Sequence, residues 1–265
     1  MRALSLEYHD VVDEHGFDAS GFPGAGPASY KLTGAEFDRH LDAIGRIVRR
    51  SPSRAPDWLD DDCRGRPLFL TFDDGGLASY THTADALERH GWRGHFFVTA
   101  KYIGAPAFLS GGQIRELSRR GHVIGSHSYS HPMRMGACTR DEILDEWVCS
   151  VGMLTDTLGE PVVTASVPGG YYTPAVAEAS AQAGLKLLFT SAPTTRGWTV
   201  DGCRVVGRYT MRRWSRPQTA AALADGRVAP RTAQWLLYRS LHALRTLTGD
   251  HYTRLRQRYW ATRTV

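Results

Sequence analysis

Short apolar runs and amphipathic stretches alternate along the chain. Ala3–Tyr8, Pro67–Phe72, Gly94–Thr99, His122–Gly125, Val162–Val167, Lys186–Thr190 and Arg204–Val206 are largely apolar, the pattern of strands covered on both faces. Between them lie segments of helical spacing: Thr33–Arg49, Leu77–His90, Gly112–Arg120, Thr139–Leu158 and Pro174–Ala183. In the first of these, Phe37, Leu41, Ile44 and Ile47 share a face, and Thr33 followed by Glu36 has the form of a capping box. Gly91 and Gly121 stop two of the helices. Apolar strands alternating with helices predict parallel βα units, arranged as a barrel or as a doubly wound sheet.

The last quarter departs from that rhythm. Ala233–Thr248 and Tyr252–Trp260 read as two helices separated by Gly249 and studded with arginine. Charge sharpens this division. The whole chain of 265 residues has net charge +5, yet residues 1–203 carry 19 basic and 25 acidic side chains, net −6. Residues 204–265 carry 13 Arg and 2 Asp, net +11. Nucleic-acid binding by the whole chain is therefore not expected, whereas a basic C-terminal device is. Its readings are a solvated helix packed on the barrel, a dock for an anionic membrane surface or anionic carrier, or a site for a partner or polyphosphate.

Composition, with 42% apolar and 22% charged residues, excludes disorder as the main character. Cys63, Cys138, Cys149 and Cys203 form no Cys-x-x-Cys pair, so reduced thiols are expected. Met1–Tyr8 has no signal-like apolar run, and no stretch reaches the roughly 18 apolar residues of a membrane span. A cytoplasmic protein is the expectation, with a peripheral position on the inner membrane face if the basic tail docks there.

In parallel α/β architectures, chemistry gathers where strands end. Asp73, Asp74, Gly75 and Gly76 follow one run; His127 and His131 follow another; Pro168, Gly169, Gly170 and Tyr171 follow a third. Adjacent aspartates at an extended strand end point to opposite sides, so one can hold a metal while the other takes a proton. Two histidines four apart can meet on one face of a helical turn. With one aspartate they form a His/His/Asp set with an open position, a catalytic rather than a structural arrangement. Zinc is the ion expected from these ligands, and cobalt, nickel and manganese are compatible.

These residues resemble a known family. Thr71-Phe72-Asp73-Asp74-Gly75, Gly94 to Thr99, Glu116 to His127 and Ser128-Tyr129-Ser130-His131-Pro132 are similar to the polysaccharide deacetylases of the NodB-homology group, carbohydrate esterase family four. The resemblance runs from about Leu4 to Tyr209 and implies an α/β fold, a distorted (β/α) barrel of about seven parallel strands, with an extra C-terminal helical region. The expected division is a barrel over residues 1–210 and an Arg-rich extension over 211–265. Asp73 matches the catalytic base, and Asp74, His127 and His131 match the metal ligands. Gly169 matches the donor of the oxyanion amide, and Tyr171 is placed toward substrate. The implied activity is metal-dependent hydrolysis of an N-acetyl group on an amino sugar.

Three motifs depart from the family. Ser166 stands where an arginine usually orients the base, and Ser191–Trp198 lacks the usual aspartates. Arg208 is the candidate to take over the missing charge. No Leu-x-His-Asp follows a late strand, and His9, at the end of the first strand, is the candidate general acid. Two rival readings stay open: a degenerate carbohydrate-binding module, and hydrolysis of another amide or ester on the same metal site.

Overall fold

The computed structural model describes residues 1–13 and 16–248. Its strands are β1 (Leu4–Tyr8), β2 (Val11–Val12), β3 (Leu32–Thr33), β4 (Leu68–Phe72), β5 (His95–Val98), β6 (Val123–Ser126), β7 (Thr164–Ser166), β8 (Leu187–Thr190), β9 (Trp198–Val200), β10 (Cys203–Gly207) and β11 (Tyr209–Thr210). The helices are α1 (Ala25–Ala28), α2 (Gly34–Ile47), α3 (Ala55–Asp60), α4 (Ala84–Arg89), α5 (Gly111–Arg119), α6 (Arg140–Leu158), α7 (Pro174–Gln182), α8 (Pro217–Ala224) and α9 (Val228–Thr248).

The main sheet has the order β11-β1-β4-β5-β6-β7-β8-β10-β9, and only β9 and β10 pair antiparallel. β2 and β3 form a separate small ribbon. Its closure rests on one residue. β10 pairs with β8, β11 pairs with β1, and Arg208 alone separates β10 from β11, so the curled sheet meets itself at Arg208. The result is the expected α/β barrel, its staves being β1, β4, β5, β6, β7, β8 and the β10/β11 run.

Strand alternation sorts the side chains. In β4, Leu68, Leu70 and Phe72 join the cluster under the helices, whereas Phe69 packs inside with Phe97, Leu187, Phe189 and Val206. Two residues further along the same inward rows stand Thr71, Ser191 and Arg208, and two beyond Thr71 stands Asp73. The barrel interior thus passes from an aromatic floor to a polar mouth at the strands' C-terminal ends. Gly125 is required by that floor, since a Cβ there would lie 2.5 Å from the Phe97 ring.

Helix ends follow local chemistry. Thr33/Glu36, Ser110/Gln113 and Thr139/Glu142 form complete capping boxes on α2, α5 and α6. Phe37, Leu41 and Ile44 are buried as the spacing predicts, but Ile47 at the end of α2 is exposed. The expected Leu77–His90 helix begins instead as a π-helical turn, Ser79–Thr83, and becomes α-helical in α4. Past residue 210 the chain continues into the main core, where Ala220, Ala221 and Leu223 of α8 join the α2 face. α9 starts at Val228, five residues before the expected position; the expected Tyr252–Trp260 helix lies outside the described residues.

Candidate active site

Asp73 is the next inward position after Phe69 and Thr71, and it is buried. Its carboxylate is held on both oxygens by the equally buried Arg208: Nη1 donates to Oδ1 at 2.7 Å and Nη2 to Oδ2 at 2.8 Å. Arg208 also donates to Glu7 Oε1 (3.1 Å) and to Thr71 Oγ1 (3.1 Å). Glu7 in turn accepts from Ser191 Oγ and Thr210 Oγ1. Burial pushes the Asp73 carboxyl up, but Arg208 and then His127 outweigh it and leave Asp73 well below the usual carboxylate range. An ionised, fixed acceptor results.

Asp74 leaves the strand differently from the expectation. Its φ is 78°, and Gly75 follows at the same angle, so a left-handed turn rather than strand alternation separates the two carboxylates. A Cβ on Gly75 would meet Val98 at 3.0 Å, and one on Gly76 would lie 2.2 Å from the Asp10 carboxylate. Glycine is what lets this turn pack.

The turn brings Asp74 Oδ1 to 3.5 Å from His127 Nε2 and 3.7 Å from His131 Nε2. Two ligands at about 2.1 Å on a tetrahedral ion stand roughly 3.4 Å apart, so these separations suit one divalent ion. Asp74, His127 and His131 each offer one donor atom, and the three lie within 4.8 Å of one another. The two histidines do not sit on a helical turn. They flank a loop in which Ser128 (φ 62°) and His131 (φ 60°) are left-handed, and this bend folds the second imidazole back toward the first.

Ser166 fixes the tautomer of His127. Its hydroxyl donates to Asp73 Oδ1 at 3.1 Å and lies 2.6 Å from His127 Nδ1. Since the hydroxyl proton is committed to Asp73, Nδ1 must be the donor to Ser166, and the Nε2 lone pair faces Asp74. Burial disfavours a charged imidazole, but Asp73 and Asp74 outweigh it and raise the His127 pKa. Burial lowers His131 to about 4 and keeps it neutral. For Asp74, burial acts upward, and a proton on His127 Nε2 bonded to its carboxylate, together with His9, brings it down to about 2. The same Nε2 position is placed to take a cation in the proton's stead.

His9 points to the same mouth. One of its nitrogens lies within 4.8 Å of oxygens of Glu7 and Asp73, and its ring packs on Tyr30 with centroids 4.7 Å apart. His9 Nδ1 is buried without a hydrogen-bond partner among the described residues. The Pro168–Gly170 turn closes another side of the mouth. Gly169 has φ 62°, and a Cβ there would lie 3.1 Å from Met133 O, two residues past His131. Tyr171 is half-buried with Arg134 over its ring at 5.8 Å. Trp198 and Tyr172 pack edge-on with an Nε1 to OH bond of 3.0 Å, against the apolar cluster that holds Trp147, Val176 and Val205.

Residues 60–188 match the polysaccharide deacetylase family. That stretch, just under half of the chain, is similar to a polysaccharide deacetylase domain. It is 38% identical over 82 residues to peptidoglycan-N-acetylmuramic acid deacetylase PdaA of Bacillus subtilis, covering 31% of this chain and 29% of that protein. It is 31% identical over 128 residues to peptidoglycan-N-acetylglucosamine deacetylase PgdA of Listeria monocytogenes, covering 48% of this chain and 26% of the relative. The chain thus spans less than a third of either curated relative. The fold agrees with that of the Streptococcus pyogenes deacetylase PplD, solved in complex with acetate. Its TM-score is 0.69 at 18% identity, over 82% of this chain and 96% of that one.

At this mouth the structure brings together Asp73, Asp74, His127, His131 and His9, with Gly169 and Tyr171 on the adjoining loop. Sequence reasoning passed over Glu7 and the bridging role of Ser166. Glu7 had a signal: it is the one charge in a strand expected to be covered on both faces, and Arg208 is its complement in the closing strand.

Proposed function

We propose that this chain is a metal-dependent hydrolase that removes the N-acetyl group from an amino sugar. The observation that supports it most is the side-by-side placement of Asp73, ionised and clamped by Arg208, and the open Asp74/His127/His131 donor set. The relatives' names supply the chemical class: both are named for deacetylation of N-acetylated sugars.

Asp74 Oδ1, His127 Nε2 and His131 Nε2 would hold a divalent ion, zinc by its preference for imidazole and carboxylate. When bound, that ion supplies Lewis-acid polarisation of the acetamide and a more acidic water. Asp73 accepts the proton of the attacking water, its lone pairs held toward the mouth by Arg208 and Ser166. The Gly169 amide serves the developing oxyanion, and the Tyr171 ring faces the sugar. His9, beside Glu7 and Asp73, delivers a proton to the departing amine. The rival carbohydrate-binding reading has no use for a buried, ionised base, which favours catalysis.

The test is mass-spectrometric detection of acetyl loss (C2H2O) across N-acetylated mono- and oligosaccharides, with metal content measured on the same sample. Acetyl loss that stops with a chelator and returns on adding zinc is expected. Bound metal without acetyl loss on any amino sugar would favour the binding module, and cleavage of acetyl esters alone would favour the other hydrolase.

A further inference from the structure

We propose that the outward face of α9 is a docking surface for an anionic lipid bilayer. Over its first turns the helix is mounted with its polarity reversed, with Tyr238 and Leu241 continuing the half-buried side further along. Its barrel-facing side is polar: Arg231 donates to Tyr209 OH (2.9 Å), Thr195 Oγ1 (3.2 Å) and Gly226 O (3.1 Å), and Gln234 Nε2 donates to Thr210 O at 3.1 Å. The side turned to solvent carries Trp235, Leu236 and Leu237, which are 45%, 53% and 56% exposed. A helix that only covers the barrel would bury its apolar stripe and display its arginines and glutamine.

Charge identifies the occupant. Between Asp201 and Asp250 the only acidic residue is Asp225, which is paired with Arg227. Arg239 lies over the Trp235 ring at 5.5 Å. In the turn before α8, Arg212 lies 5.8 Å from the ring of Trp214, itself 63% exposed. Tryptophan and leucine among unopposed arginines match a surface that is apolar beneath and anionic above, the interfacial layer of an acidic leaflet. No described helix is long and apolar enough to cross a membrane, so the contact is lateral. Gln234 holds Thr210, and Thr210 bonds Glu7 of the Arg208 clamp, so docking would set the catalytic mouth beside the bilayer. The inference does not rest on the deacetylase reading, and its test involves no turnover.

The full chain is sedimented with phosphatidylcholine vesicles and with vesicles containing phosphatidylglycerol. Binding to the second only, weakened by salt, is expected. The triple variant W235S/L236S/L237S should lower partitioning about a hundredfold while melting as the native chain does. Leu237→Asp, a milder change, should act in the same direction. A second basic surface provides the control: the cavity of about 850 Å³ at the strands' N-terminal ends, on whose α2 side stand Arg49 and Arg50. R49S/R50S should leave vesicle binding intact. The proposal is overturned if the native chain stays in the supernatant, if the triple variant binds undiminished, or if R49S/R50S abolishes binding. It is equally overturned if the triple variant instead converts a dimer to a monomer in sedimentation velocity without lipid.

Discussion

Asp73 and Asp74 are consecutive and both buried, yet their surroundings are opposite. Around Asp73 the protein supplies its own cation: Arg208 occupies both oxygens, and Ser166 adds a third bond. Around Asp74 it supplies two imidazoles and no guanidinium or ammonium within bonding range among the described residues. A buried carboxylate without an internal counter-charge is costly, and so are lone pairs aimed at one point. The first site is finished by the chain and can only act as an acceptor. The second is left with donors that a cation from outside would complete.

The largest expected effect separates the two. Asp73→Asn should lower turnover by about a thousandfold or more while retaining bound metal, read by steady-state kinetics beside elemental analysis. Parallel loss of metal would show that the aspartates are not distinct in role. Arg208→Met comes next. It leaves Asp73 and Glu7 buried without their cation, so chemical denaturation should show a loss of about 3–5 kcal/mol. Where the variant still folds, the acid limb of the pH–rate profile should move to higher pH, because the charge that keeps Asp73 ionised is gone. Arg208→Lys should recover part of the stability and little of the profile, lacking the paired donors.

A third measurement isolates the floor of the barrel from its mouth. Burial lowers His95 to about 4; Nε2 accepts from the Ala55 amide at 2.9 Å and Nδ1 lies 3.1 Å from Leu70 O, an arrangement that needs the neutral ring. The unfolded ring titrates near 6.5, so the unfolded chain binds the extra proton first. The associated stability, about 3 kcal/mol, is therefore present above pH 6.5 and lost as pH falls toward 4. Denaturation curves across that range should show this slope, and His95→Asn should flatten it. The smallest effect belongs to Ser166→Ala. Losing the hydroxyl that orients His127 should weaken metal affinity about tenfold in a chelator competition, with stability nearly unchanged.

The strand ends were legible because periodicity and apolar runs locate them, and both aspartates, both histidines and His9 sit where those runs stop. The geometry at each end was not. Two histidines four apart suggested a helical turn, but left-handed Ser128 and His131 achieve the meeting in a loop. Asp74 turns away from Asp73 by its own backbone rather than by strand alternation. Glu7 was hidden for a different reason: its meaning depends on β11 returning to β1, a pairing that joins residues about 200 positions apart. Arg208 could be proposed as a lone charge, yet only closure of the sheet aims it. For α9 the sequence showed an apolar face and not which way it faces, since periodicity is blind to orientation.

The residue at which the sheet joins itself is also the one that holds the base. A barrel opened along the β11–β1 pairing would lose the orientation of Asp73 before it lost most of its strands. Heat inactivation of the proposed deacetylase should therefore track the amide exchange of Tyr209 and Thr210 rather than global melting, which would make its turnover a gauge of whether the seam is shut.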